Sequence, residues 1–214
     1  MKVLIITGGT MGAVQAAKDF APDLTIAADK GIENALAARI PIDRILGDFD
    51  SIDPEALREV RNQHLPETEF PPEKDYTDTE LALAMAMDEA GPEGEILILG
   101  ASGSRLDHTM ANVFLLKQPV DRGITCTLQD DHDRILLLKG PTRITIPYDP
   151  EWPYVSLLPL FGKAEGVSLQ GFYYPLDTIT LEPGVSLGVS NQLTEEKGTI
   201  HVASGYLLLI RTRD

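Results

Sequence analysis

The 214-residue chain has one cysteine, Cys126, so an intrachain disulfide framework and a thiolate zinc site are both excluded. It also lacks any basic run. Eighteen Lys and Arg stand against 33 Asp and Glu, for a net charge of −15, the opposite of what a nucleic acid or an anionic membrane attracts. Long apolar stretches are missing too: the opening MKVLIITGG is too short for a secretory signal, and nothing later reaches membrane-spanning length. No low-complexity tract or fixed-period motif is present, which sets aside a disordered linker or a solenoid. What remains is the expectation of a soluble, cytoplasmic globular protein, able at 43% hydrophobic and 24% charged residues to bury one large core or two small ones. Cys126, inside TCTL, is expected as a buried strand residue.

The chain has two rhythms. Up to about residue 122, short β-branched runs alternate with longer Ala- and Leu-rich segments. Strands are expected at 3–6, 24–27, 45–46 and 96–99, and helices at 11–20, 31–38, 54–63, 78–90 and 108–117. This pattern predicts an α/β N-terminal domain, residues 1–122, with a mainly parallel sheet covered on both faces. From 123 to 214 the segments are short and alternating (TCTLQ, RILLLKG, TRITIP, GVSLQG, TIHVAS), separated by Gly, Pro, Asp and Asn, which predicts an all-β C-terminal sandwich.

In open parallel sheets ligands collect at the carboxyl ends of strands, and all four strand candidates of the first half end in acid- or glycine-rich loops. The third is ILGDFDSI. In extended backbone Asp48 and Asp50 leave on one face and repel unless a cation lies between them, whereas on these eight residues alone a turn built by Gly, Asp and Ser is the simpler account. TGGTMG after the first strand can turn backbone N–H groups toward a phosphate, although it lacks a P-loop ending. In ADKG, Asp29 is either a ligand or a helix cap.

Next comes EKDYTDTELALAMAM. Thr77 and Glu80 have capping-box spacing and account for a helix start, but they leave Lys74 and Asp75 unexplained ahead of Asp78. In LGASGSRLDHTMAN, small residues including Ser102 can wrap phosphate oxygens at a helix start, Arg105 supplies a fork of donors, Asp107 adds a carboxylate and His108 can meet a nucleotide. Two acidic pairs with two glycine-rich loops on one sheet edge point to Mg²⁺ and to phosphoryl or diphosphoryl transfer from a nucleotide.

The motifs GDFDS (47–51), KDYTDTELAL (74–83), GSRLDHTMANVFLL (103–116), GFYYPL (171–176) and VSNQ (189–192) resemble, in order, those of the thiamine pyrophosphokinase family. The resemblance spans nearly the whole chain. It implies transfer of the diphosphate of ATP to the hydroxyl of thiamine, with AMP as the other product. It further implies a homodimer with active sites between subunits.

Carried over by position, Asp48, Asp50, Asp75 and Asp78 are the implied Mg²⁺ carboxylates, and Arg105 and Asp107 stand beside them. Asp29, Lys74, Ser102, Arg105 and His108 are implied for ATP, and Tyr174, Ser190 and Asn191 for thiamine. Two positions depart from the family pattern: Lys30 replaces one glycine of a usual pair, and Gln192 stands where Glu is common. A Mg²⁺-dependent phosphohydrolase and a non-catalytic nucleotide- or thiamine-binding protein remain as alternative readings.

Overall fold

Val3, Leu4, Ile5 and Ile6 are completely buried. Side chains alternate between the faces of a strand, so neither face of this one meets water, the condition of a parallel sheet between helical layers. The computed structural model describes residues 1–71 and 75–214. Residue contacts divide it into two units, 1–131 and 132–214.

In the first unit the elements run β1 (Lys2–Ile6), α1 (Val14–Phe20), β2 (Leu24–Ala28), α2 (Gly31–Ala38), β3 (Arg44–Gly47), α3 (Pro54–Arg61), β4 (Glu67–Glu69), α4 (Asp78–Ala90), β5 (Glu95–Leu99), α5 (Leu106–Leu115), α6 (Lys117–Asp121) and β6 (Thr125–Gln129). The strands lie in the order β4-β3-β2-β1-β5-β6, all parallel. The chain winds outward from β1 to β4, then returns to the other side of β1 for β5. That reversal opens a crevice at the carboxyl ends of β1 and β5.

Leu4 and Ile6 pack in one cluster with Ala17 of α1 and Ile32 and Ala35 of α2. α4 lies on β1 and β2 and buries Ala82, Leu83, Ala86 and Met87. Helix starts follow their caps: Asp53 accepts from the Glu55 N–H at 2.8 Å with Pro54 following it, and Thr77 accepts from the Glu80 N–H at 3.2 Å. The Glu80 carboxylate accepts from Gln118 of α6 at 2.9 Å, which ties the two helices together.

Several expectations shift. TCTLQ, assigned by its alternation to the all-β half, is β6, paired in parallel with β5. Its alternating burial gives it the same pattern as an antiparallel strand with one face toward the core. The break in the chain therefore falls at 131/132 rather than 122/123. β4 and α6 are additions: ETE carries no apolar signal, and Pro119 disguises α6 although a proline in the first helical turn removes no intrahelical hydrogen bond. Helix α1 begins only at Val14, because Ala13 is left-handed with φ +53°.

The second unit contains β7 (Asp133–Lys139), β8 (Thr142–Pro147), β9 (Tyr154–Gln170), β10 (Leu176–Leu181), β11 (Lys197–Val202) and β12 (Ser204–Thr212). Its pairings are antiparallel: β12 lies between β7 and β9, while β9 also pairs with β10 and with β11, and β11 with β8. The long β9 changes partners where Phe161 and Gly162 adopt φ +62° and +124°. Val155 and Leu157 before that point and Val167 and Leu169 after it enter the same core. Among the described residues no helix is long and apolar enough to cross a membrane.

Gly31 shows how tightly α2 sits on β1: a Cβ there would lie 2.0 Å from the Ile6 carbonyl oxygen. Gly31→Ala is expected to cost about 1–3 kcal/mol, the usual penalty of overpacking. Urea unfolding followed by circular dichroism measures this, and an unchanged midpoint would show that α2 can move away without cost.

Candidate active site

The loops after β1, β2 and β5 and the first turns of α4 and α5 enclose a cleft of about 300 Å³. Its floor is backbone. Gly9 N–H donates to Gly100 O and Thr10 N–H to Ser102 O, both at 2.8 Å, and the Thr7 hydroxyl donates to Gly100 O at 2.5 Å. From α2, the Asn34 amide donates to Thr7 O at 2.7 Å and to Gly9 O at 3.0 Å. The two expected glycine-rich loops are thus joined to each other, and the N–H groups of Gly9 and Thr10 are used in joining them rather than presented to a phosphate.

Two residues that the sequence reading passed over reinforce this floor. Asp130, just past β6, accepts from the Ser102 hydroxyl at 2.5 Å, and Asp131 accepts from the Ala13 N–H at 2.7 Å. The expected phosphate contact Ser102 therefore spends its proton on Asp130. The signal was DDHD directly after TCTLQ, and it becomes visible only once that strand is placed in the parallel sheet, since its acidic end then falls on the ligand edge.

The other side of the cleft is acidic. Asp29 is left-handed at φ +48°; its Oδ2 accepts from the Ser51 hydroxyl at 3.0 Å, while its Oδ1 is buried with no hydrogen-bond partner. Asp50 N–H donates to Asp48 Oδ1 at 3.3 Å. Repulsion by Asp48, then desolvation, then the charges of Asp29 and Asp78 hold the Asp50 carboxyl above its ordinary 3.8. Asp29, Asp48 and Asp78 are thus close enough to Asp50 to oppose its ionisation. Asp29 and Asp78 line the cleft directly, together with Arg105, His108 and Lys30.

Other expected residues stand apart. Asp75 is exposed in the bend before α4 and outside the cleft lining, and Lys74 lies outside the described residues. Arg105 and Asp107 face each other, with Nε–Oδ1 at 3.2 Å and Nη2–Oδ2 at 2.6 Å. The guanidinium holds the Asp107 carboxyl below its ordinary range, chiefly through these hydrogen bonds.

In the second unit Asn191 is buried, and its side chain bonds the backbone of Tyr174 both ways: Oδ1 accepts from Tyr174 N–H at 3.1 Å and Nδ2 donates to Tyr174 O at 2.8 Å. Oδ1 also accepts from Gln192 N–H at 2.9 Å. This fixes Tyr174, whose ring is 62% exposed and meets Tyr173 edge to face at 4.8 Å. Ser190 is exposed and left-handed at φ +56°, and its N–H donates to the Ser156 hydroxyl at 3.0 Å. These three residues share one corner of that unit.

The acidic side suits a hard cation, since the unpartnered Asp29 oxygen and the repulsion on Asp50 are relieved by positive charge. Among the described residues no three acidic, histidine or cysteine side chains are arranged to hold a metal by themselves. The donor set fits Mg²⁺, which takes one or two carboxylates and completes its shell with phosphate oxygens and water.

A family model described as the catalytic domain of thiamin pyrophosphokinase matches residues 20–128, and one described as its vitamin B1 binding domain matches 141–207. The chain belongs to the thiamine pyrophosphokinase family. Thiamine pyrophosphokinase of Bacillus subtilis (strain 168) is 34% identical over 206 residues, covering 92% of this chain and 95% of that one. The crystal structure of thiamine pyrophosphokinase from Bacillus subtilis aligns over all of both chains with a TM-score of 0.92 at 31% identity. That of thiamin pyrophosphokinase from Geobacillus thermodenitrificans aligns with 0.86 at 31% identity, over 100% of this chain and 98% of that one. Family membership lends no support to the phosphohydrolase or to the binding-only reading.

The raised Asp50 carboxyl carries a sign. A folded-state pKa above the unfolded value means stability that is complete below the unfolded pKa and lost as pH rises through the folded one. Without substrate or metal, Asp50→Asn is expected to raise the melting temperature at about pH 7 and to leave it unchanged near pH 3, where the carboxyl is already protonated. Thermal melts of the two proteins at both pH values measure the difference; an equal change at both would trace it to something other than charge.

Proposed function

We propose that this protein transfers the diphosphate of ATP to the hydroxyl of thiamine, producing thiamine diphosphate and AMP. The observation that carries the reading is the two-sided cleft of a thiamine pyrophosphokinase family member: a rigid small-residue floor faces a group of carboxylates whose charges act on Asp50 and among which Asp29 keeps one buried oxygen without a hydrogen bond. That pairing suits a polyphosphate that arrives with its own cation.

Asp48, Asp50 and Asp78, with Asp75 ahead of them in the bend before α4, would hold Mg²⁺, and the bare oxygen of Asp29 adds to the field there. Mg²⁺ held by these carboxylates would supply neutralisation of phosphate charge. The thiamine hydroxyl attacks the β-phosphorus in line while AMP leaves on the opposite side. A carboxylate, Asp78 or Asp107, would accept the hydroxyl proton, and the bonds from Arg105 to both Asp107 oxygens make that carboxylate a weaker base than an ordinary aspartate. The Arg105 donors not engaged with Asp107 are free to meet charge on the transferred group, and His108 and Ser102 shape the nucleotide side. Lys74 is assigned to the same nucleotide on sequence grounds alone.

The second unit would receive thiamine. The Tyr174 ring offers its face to the cationic thiazolium, Ser190 offers a hydroxyl, and Asn191 acts by setting the Tyr174 backbone. The bend in β9, whose two stretches feed one core, supports a sandwich for that unit. A homodimer with active sites between subunits, working in the cytoplasm, completes the reading.

With ATP, Mg²⁺ and thiamine, the purified protein is expected to form AMP and thiamine diphosphate in equal amounts; release of ADP instead would sink diphosphoryl transfer. Asp48→Asn is expected to lose turnover on the order of 100-fold with the fold retained, because a charge-stabilising group is removed from the transition state.

Dimerisation has its own support: α5 exposes Leu106, Met110 and Phe114, one residue per turn along a single stripe. Light scattering should give twice the chain mass for the wild type and a lower mass for Met110→Glu. A wild type at the mass of one chain would overturn the dimer.

A further inference from the structure

Lys30, Arg105 and His108 are the basic side chains that line the cleft among the described residues. They are not equivalent. Arg105 gives Nε and Nη2 to Asp107. Lys30 is exposed and makes no ion pair among the described residues, although Asp29 precedes it and the chain carries a net charge of −15. A lysine amid excess acid that remains unpaired is available to a ligand.

Its place is set by backbone. Asp29, left-handed at φ +48°, turns the chain out of β2, and Lys30 follows at the head of α2, its carbonyl accepting from Asn34 N–H at 3.3 Å. The Lys30 stem then crosses Gly8: a Cβ on Gly8 would stand 2.7 Å from Lys30 Cβ. The missing side chain at Gly8 is the space through which this lysine enters the cleft. Lys30 thus stands where the acidic side, beginning at Asp29, meets the glycine floor at Gly8 and Gly9. A polyphosphate lying along the floor and reaching toward the carboxylates must pass it, and a compact ammonium is well suited to phosphate oxygens as a point charge.

We propose that Lys30 is a specificity-determining residue for the nucleotide, contacting the β- and γ-phosphates of ATP, the part of the substrate that is transferred. The inference rests on the diphosphoryl-transfer reading for the identity of the ligand. In that role Lys30 discriminates ATP from AMP, so it helps substrate bind without retaining product.

The test compares wild type, Lys30→Ala and Lys30→Arg, with thermal melts to confirm that all three fold. Titration calorimetry in Mg²⁺ measures ATP and AMP separately, and steady-state kinetics give KM for ATP and for thiamine. Loss of one charge-assisted contact predicts that Lys30→Ala weakens ATP binding and raises its KM about tenfold, while AMP affinity and the KM for thiamine change by less than about twofold. Lys30→Arg should recover most of the ATP affinity, because it keeps the charge.

Unchanged ATP binding in Lys30→Ala, or an equal loss for ATP and AMP, overturns the inference. The two readings fail separately. A wild type that makes AMP and thiamine diphosphate beside a Lys30→Ala of normal ATP affinity removes only the lysine contact. A wild type that binds ATP through Lys30 yet forms neither product removes only the reaction.

Discussion

The site depends on backbone meeting backbone without side chains between. A Cβ on Gly9 would lie 2.2 Å from the carbonyl oxygens of both Gly100 and Ser102, one on Gly100 2.4 Å from Thr7 O, and one on Gly31 2.0 Å from Ile6 O. At these distances no rotamer relieves a clash, so the loops after β1 and β5 and the head of α2 fit together only as glycine. The same closeness allows Thr7, Gly9, Thr10 and Asn34 to cross-link the three segments. With the floor rigid in this way, ATP would bind a surface already formed and little ordering entropy would be lost at that moment.

Rigidity on one side is matched by electrostatic strain on the other. Across most of the first unit, acids are placed where they stabilise the fold: Asp53 caps α3, Asp23 and Asp43 accept from the backbone N–H groups of Lys2 and Thr25, and Asp130 and Asp131 secure the cleft loops. Asp29, Asp48, Asp50 and Asp78 are placed differently: the charges of the other three act on Asp50, and one buried Asp29 oxygen has no hydrogen bond. Gathering carboxylates beside a phosphate-sized cleft has a physical use when a cation and its phosphates complete the arrangement.

The parts of the molecule that were legible in the sequence share one property: they are written in local pattern. β1, β2 and β5 are buried on both faces and read as unbroken apolar runs, and the extents of α2 and α4 follow from glycine, Thr77 and 3.6-residue periodicity. What was illegible depends on partners distant in sequence. An alternating strand such as β6 looks alike in a parallel sheet and in an antiparallel one, and misplacing it hid Asp130 and Asp131. TGGTMG reads as a phosphate loop until Gly100 and Ser102, far along the chain, are found to accept its N–H groups. Nor does the sequence show that the Asn191 side chain accepts from the N–H groups of Tyr174 and Gln192 and donates to Tyr174 O.

The segment ILGDFDSI shows why a turn and a cation site need not compete. Phe49 is left-handed at φ +59°, an expensive conformation for a residue with a Cβ, costing on the order of 1–3 kcal/mol. Its ring is 8% exposed within the core cluster of the first unit, with the Arg61 guanidinium 5.5 Å from the ring centroid. Burying a phenylalanine contributes about 1.5–3 kcal/mol, enough to offset the strain. The aromatic between the two acids is therefore the anchor of the turn. Because the ring is drawn inward, Asp48 and Asp50 are left at the rim past the end of β3, bonded to each other through a backbone N–H and free of strand pairing. The hydrophobic effect acting on Phe49 presents the carboxylates, and the proposed Mg²⁺ would relieve the repulsion of Asp50 by Asp48.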